Sequence, residues 1–410
     1  TYVTGEAIRN EYNEEEQLAG QYLVKVDGTE EKLFTNTYDA YGNVVKHEDH
    51  RNGVVNSYQY DMIGRLLGTD SSDGMKLRIV YDGKNRVKSY VYRVDKSGNQ
   101  TAFIYGDTSR QQRPGLGYGV RINGTDRIHY EYDPLARMTK QMLLCSDTVT
   151  KETQYTYIPG KREGITTNLV ASVKEATGTV YYNYDENGNI TEISKKEAGS
   201  QIKVRQVRYE YDELNQLIQE GNKEQDKTIT YTYDVGGNLT VRKEYPYTEE
   251  AVITTTATKT DTYTYRTSGW KDQLIAYNGQ AITYDALGNP IQYRSMAMEW
   301  EKGHTLKKIT ASGLVQTCTY DSDGNRIRKT INGVTTEYYL NGAAIIAQKT
   351  SDGKRIDFLY DEKGNVFALI YQKELYYYRK NIQGDILGII DKTGTEVVTY
   401  TYDSSWILLR

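Results

Sequence analysis

A short signature, Tyr-Asp-x-x-Gly-Asn followed by an apolar residue, recurs along this chain and restricts its possible folds more than any other feature. The fullest version is Tyr231-Thr-Tyr-Asp-Val-Gly-Gly-Asn-Leu-Thr240. Clean copies carry Tyr38, Asp39 and Gly42; Tyr60, Asp61 and Gly64; Tyr184, Asp185 and Gly188; and Tyr233, Asp234 and Gly237. Three more carry Tyr284, Asp285 and Gly288; Tyr320, Asp321 and Gly324; and Tyr360, Asp361 and Gly364. Looser copies begin at Tyr81, Tyr132 and Tyr211, and a degenerate one at Tyr12. A repeat of this kind takes precedence over local guesses about structure.

Each unit reads as one β-hairpin turn with a strand on either side. Tyr and the alternating residues before it suit a pleated, half-buried strand. Asp opens the turn, because its carboxylate accepts hydrogen bonds from backbone N–H groups just ahead. Four residues after Tyr the ten copies hold seven Gly, with Asn85, Asn215 and Ala136 in the others. Gly and Asn tolerate positive φ, so a type I turn closed by a left-handed residue and a bulge is expected. An apolar residue six positions after Tyr then starts the outgoing strand. Copies recur every 20 or so residues where the rhythm is regular, about two strands plus turns. Residues 93–128 look irregular, with a turn at Asp95-Lys-Ser-Gly-Asn99 and a surface loop at 111–119. Degenerate copies at Trp300, Tyr339 and Tyr378 fill the later gaps.

Composition supports an ordered all-β chain. Apolar residues make up only 38% of the 410, but there are 40 Tyr against 4 Phe and 3 Trp. Disordered chains are poor in aromatics. Thirty-six Gly and five Pro fit many turns and few helices. A net charge of −4 with interspersed signs marks no nucleic-acid or anionic-membrane surface. No apolar run approaches the 18 or so residues of a membrane span. The first residue is Thr and no signal peptide is visible, so the start reads as a cut. Cys145 and Cys318 are expected to be separate buried thiols.

No catalytic, cofactor or metal site assembles from the sequence. Ten Asp at one turn position read as structural rather than as catalytic pairs. Asp185-Glu-Asn-Gly-Asn189 and Asp321-Ser-Asp-Gly-Asn325 resemble the start of a calcium loop but lack its sixth-position Gly and twelfth-position Glu. His47 and His50 flank Glu-Asp, not the spacing of a helical zinc motif, and His129 and His304 have no sequence partner. Gly-x-Ser-x-Gly and phosphate-binding loops are missing. Asn123, Asn189 and Asn238 are glycosylation acceptors by pattern alone. The chain by itself is expected to be no enzyme and to bind no metal.

These repeats resemble the Tyr-Asp (YD) or RHS repeats of bacterial polymorphic toxins, wall-associated proteins, toxin-complex C subunits and animal teneurins. The resemblance covers essentially the whole chain. It implies continuous antiparallel hairpins over 1–410 that spiral into a hollow β-shell, here incomplete, with repeat copies from about 38 to 403. The stretch from about 338 to 403 is similar to the approach to the RHS-associated core. The core's aspartyl self-cleavage motifs lie beyond that approach, so no protease residue is carried over. The family implies a secreted or surface-displayed bacterial shell around a toxic C-terminal segment absent from this chain, with an immunity protein for that cargo as a further partner. A cell-surface carbohydrate-binding or adhesion module, using exposed Tyr rings on glycans, is the alternative. A β-propeller is the rival architecture, since its blades repeat at about 40–45 residues. An open-ended shell leaves unpaired edges, so the chain alone is expected to be aggregation-prone.

Overall fold

The computed structural model describes residues 2, 5–146, 148–162, 164–250 and 252–402. The described residues form thirty-five strands and one short 3-10 turn, Thr108–Arg110. Strands pair antiparallel with the next strand in sequence. Ten do so in unbroken succession from Ala7–Tyr12 to Gly117–Ile122. Thirteen follow from Thr125–Tyr132 to Gln280–Tyr284, and ten more from Pro290–Tyr293 to Glu374–Lys380. Such runs exclude propeller blades, whose sheets stop at four strands.

The repeat sets the register. In the repeat hairpins the Tyr pairs with the residue six positions on, as Tyr60 with Leu66 and Tyr233 with Leu239, and the ladder shifts by one residue immediately before it. That shift is the bulge expected of an αL residue closing the turn. Several opposite ends of the hairpins use tighter turns. Asn123-Gly124, Asn278-Gly279 and Asn332-Gly333 have positive φ at both positions, the two-residue geometry that follows strand twist. Asn123, a glycosylation acceptor by pattern, serves this turn: its Oδ1 accepts from the Gln100 N–H at 2.9 Å.

Two local expectations change. The turn near residue 97 is centred on Asp95 and Lys96, both with positive φ, while Gly98 and Asn99 lie inside the strand Ser97–Tyr105. Position 98 takes glycine for close approach, because a Cβ there would collide with the Tyr92 carbonyl. The copy assigned to Tyr378 is set two residues later. Asn381 takes the Asp position, with its Oδ1 accepting from Gln383 and Asp385 N–H groups. Asp403 of the last copy and residues 404–410 lie outside the described residues.

The chain divides into two compact units. One contains residues up to Arg127 together with Thr283–Tyr378; the other contains Ile128–Ile282 and the residues from Arg379 on. In the first unit, two stretches distant in sequence pack face to face. Met75, Leu77, Tyr90, Tyr92 and Val94 meet Tyr339, Ile346 and Ala347. Polar links join the same stretches: Arg355 donates to the Val94 and Ser97 carbonyls at 3.0 and 3.1 Å, and Lys349 pairs with Asp95 at 2.6 Å.

The second unit buries Tyr182, Val207, Ile229 and Tyr231, but also Glu220, Arg242 and Asp261. Arg242 lies 2.5 Å from Glu244 and 3.6 Å from Asp261, while Lys227 and Lys259 approach those carboxylates at 3.0 and 2.9 Å. The buried face of this unit thus carries a compensated ionic network beside its tyrosines. Cross-strand registry aligns it, with Arg242 opposite both Tyr231 and Asp261.

Candidate functional site

The repeat turn consumes its own polar groups. Asp39 Oδ1 accepts from the backbone N–H groups of Tyr41 and Asn43, each at 2.9 Å, and Oδ2 accepts from Asn43 Nδ2 at 3.0 Å. Asp61, Asp185, Asp234, Asp285, Asp321 and Asp361 make the same pair of backbone contacts. Where Arg replaces the Asn, it forks onto the carboxylate and lies over the next tyrosine. Arg65, Arg86 and Arg137 stand 4.4, 3.8 and 4.3 Å from the rings of Tyr81, Tyr105 and Tyr157.

Gly42, Gly64, Gly188, Gly237, Gly288, Gly324 and Gly364 all have φ between +81° and +88°. Ala136, the poorest residue type at this position, also adopts φ of 66°. A Cβ on Gly237 would meet nothing within 4 Å, so Gly237→Ala isolates the backbone term. It is expected to cost about 1–2 kcal/mol, measurable by urea denaturation; an unchanged midpoint would contradict the left-handed requirement.

The Asn amide and then the backbone N–H of Asn43 hold the Asp39 carboxyl below its usual value of 3.8, and Asn238 acts likewise on Asp234. A depressed carboxyl stabilises the fold above its unfolded value and loses that contribution as pH falls through the lower folded value. Repeated over many turns, this predicts a melting temperature that declines steeply below about pH 4. A flat thermal profile from pH 5 down to about pH 2 would exclude it.

The tyrosines are equally committed. Tyr60 Oη donates to the Val44 carbonyl at 3.0 Å, Tyr81 to Leu66 at 3.1 Å, Tyr233 to Leu217 at 2.8 Å and Tyr360 to Ile345 at 2.7 Å. Each of these acceptors lies at the start of the outgoing strand in an earlier hairpin, so the hydroxyls stitch hairpins together. Tyr38 and Tyr184 likewise reach back to the Leu18 and Val170 carbonyls, each at 2.8 Å. Trp300 substitutes its indole N–H, donating to Pro290 at 2.7 Å. Tyr284 and Tyr320 stand at the heads of their turns, and burial raises the Tyr320 hydroxyl pKa.

The remaining candidates separate. Among the described residues, no group of three or more His, Cys, Asp or Glu could hold a metal ion. Cys145 and Cys318 are both buried and are not joined in a disulfide. His50 contacts Thr35 at 3.0 Å and His304 contacts Asn289 at 2.6 Å. His47 is different. It lines a cavity of about 590 Å³ in the first unit, with Tyr58, Met75 and Leu77 on its side and Asp321, Ser322 and Tyr338 opposite. Its Nε2 lies 2.9 Å from Ser322 Oγ, and its Nδ1 lies 2.7 Å from Asn36 Oδ1. Burial pushes the Asp321 carboxyl up, against the hydrogen bonds from Asn325. Sequence offered no signal for this grouping, because Ser322 and His47 are 275 residues apart.

No known family model matches the chain. The tRNA nuclease WapA of Bacillus subtilis (strain 168) is 30% identical over 200 residues, 47% of this chain and 8% of that protein. The tRNA3(Ser)-specific nuclease WapA of Bacillus spizizenii gives the same identity and coverage. The match thus spans a small part of those relatives. The crystal structure of TcdB2-TccC3 without hypervariable C-terminal region superimposes with a TM-score of 0.75, covering 99% of this chain and 23% of that chain at 16% identity. The TcdB2-TccC3-Cdc42 structure gives 0.74 over 98% of this chain and 23% of that chain, also at 16% identity. That likeness establishes the fold. With the Tyr-Asp-x-x-Gly turn repeated along the chain, and its tyrosine tied back to an earlier strand, the chain has the fold of an RHS/YD-repeat shell.

Proposed function

We propose that this chain is part of the encapsulating shell of a secreted or surface-displayed bacterial polymorphic toxin. In this reading residues 1–410 belong to one shell, and the toxic segment lies C-terminal to them. The observation that carries it is the fold match over 99% of the chain to a TcdB2-TccC3 structure described as lacking a hypervariable C-terminal region. The nuclease names of the sequence relatives support a toxin setting. The chain's role is containment, and the toxin's own chemistry belongs to the enclosed segment. An immunity protein would recognise that segment rather than the wall.

The adhesion reading needs free tyrosine faces and hydroxyls for glycans. The repeat tyrosines offer few, since the hydroxyls described above are bonded to backbone carbonyls and arginines cover Tyr81, Tyr105 and Tyr157.

Limited proteolysis of the full-length toxin tests containment. The C-terminal segment is expected to resist protease as long as the repeats stay folded, and to be digested when mild denaturant opens them. A tail cleaved as readily in the intact protein as in isolation would rule containment out.

A further inference from the structure

We infer that Ser322 is an activated nucleophile and that the cavity beside it is an esterase-type site for small neutral or cationic acyl esters. The inference is independent of the containment role and reverses, at one place, the expectation of a chain without chemistry.

The geometry begins with Asn36. Its Nδ2 donates to the Leu18 carbonyl at 3.1 Å, which turns Oδ1 toward the imidazole. Oδ1 can only accept, so His47 carries its proton on Nδ1, 2.7 Å away. Nε2 is then left with its lone pair facing Ser322 Oγ at 2.9 Å. Phe34 packs against the imidazole with ring centroids 5.2 Å apart, restricting its rotation. A hydroxyl, a base in the correct tautomer and a group that orients the base are the three parts of an activated serine.

A plain link between walls would need only the hydrogen bond. Two further features exceed that need. First, Ser322 and His47 both line a cavity of about 590 Å³, within the size range of small-molecule sites. Second, the turn leaves an amide available at the nucleophile. The N–H groups of Asp323, Gly324 and Asn325 all bond Asp321, whereas among the described residues that of Ser322 donates to no acceptor. It is the donor available to a developing oxyanion.

The lining sets the substrate class. Asp49, Asp73, Asp323 and Glu337 outnumber Arg328, so anionic acyl groups are disfavoured. Tyr58, Met75 and Leu77 offer apolar surface to an acyl chain. Ser322 Oγ attacks the ester carbonyl while its proton passes to His47 Nε2. The bond from acyl carbon to leaving oxygen breaks, and that oxygen takes the proton from His47 and departs as an alcohol. Water then adds to the acyl carbon, its proton passes through His47 to Oγ, and the carboxylic acid leaves.

Treatment of the purified protein with a fluorophosphonate, followed by peptide mass spectrometry, tests the assignment. Phosphonylation is expected at Ser322 in preference to other serines, with hydrolysis of p-nitrophenyl acetate exceeding that of a p-nitrophenyl succinate monoester. His47→Gln is expected to slow labelling by about 10²-fold, and Asn36→Asp to preserve it. Because these groups also join two walls, melting curves accompany each variant. Ser322→Cys provides a second readout: alkylation of the introduced thiol by iodoacetamide should depend on His47. A folded wild-type protein that is unlabelled at Ser322, or labelled at a rate indifferent to His47→Gln, would overturn the proposal.

Discussion

Tyr92→Ala is expected to remove about 3–5 kcal/mol of stability, the loss typical of deleting a large buried aromatic. Tyr92 is 0% exposed and sits in the cluster that joins 75–94 to 339–347. Its hydroxyl accepts from Asn99 Nδ2 at 3.3 Å, so Tyr92→Phe should cost far less, on the order of 1 kcal/mol. The contact crosses between distant segments, which adds a regional expectation. Amide exchange should quicken in the strands Val334–Asn341 and Ala344–Thr350 as well as around Tyr92 itself. A loss confined to the strand Val87–Val94 would mean that the two faces hold independently.

Arg242→Ala should be nearly as damaging in the second unit, at about 3 kcal/mol or more. The side chain is 5% exposed and sits between Glu244 and Asp261. Removing it leaves the buried Asp261 carboxylate and the partly buried Glu244 carboxylate with Lys259 and Lys227 as their nearest cations. These lysines are more exposed, so compensation is incomplete. A double-mutant cycle with Asp261→Asn should give a coupling energy of about 1 kcal/mol or more by thermal or urea melts. Additive losses would show that Arg242 is not coupled to Asp261.

Much of the architecture could be read from residue order because the repeat is local. Asp, two residues, then Gly or Asn is enough to define a turn whose hydrogen bonds close within five residues. The same logic explains what was missed. Asp391 builds the same turn, with Gly394 at φ of 78° and its Oδ1 accepting from Thr393 and Thr395, but Ile390 stands where Tyr is usual. The packing of 75–94 on 339–347, the ionic face around Arg242, and the approach of Ser322 to His47 depend on strands distant in sequence. Residue spacing carries no record of such contacts. The tyrosine stitch lies between: the donor was plain, but its acceptor is a backbone carbonyl, identical in every residue.

The discontinuous first unit also constrains how the protein comes into being. Hairpins close in about 1–10 μs, far faster than synthesis at about 5–20 residues per second. The face bearing Leu77, Tyr92 and Val94 therefore forms long before Tyr339 and Ile346 exist to cover it. At those rates the interval is roughly tens of seconds. During it a nascent sheet displays the apolar surface it will later bury. A holding chaperone, or export before folding, would shield that surface, and the speed of elongation across the intervening stretch becomes a determinant of yield.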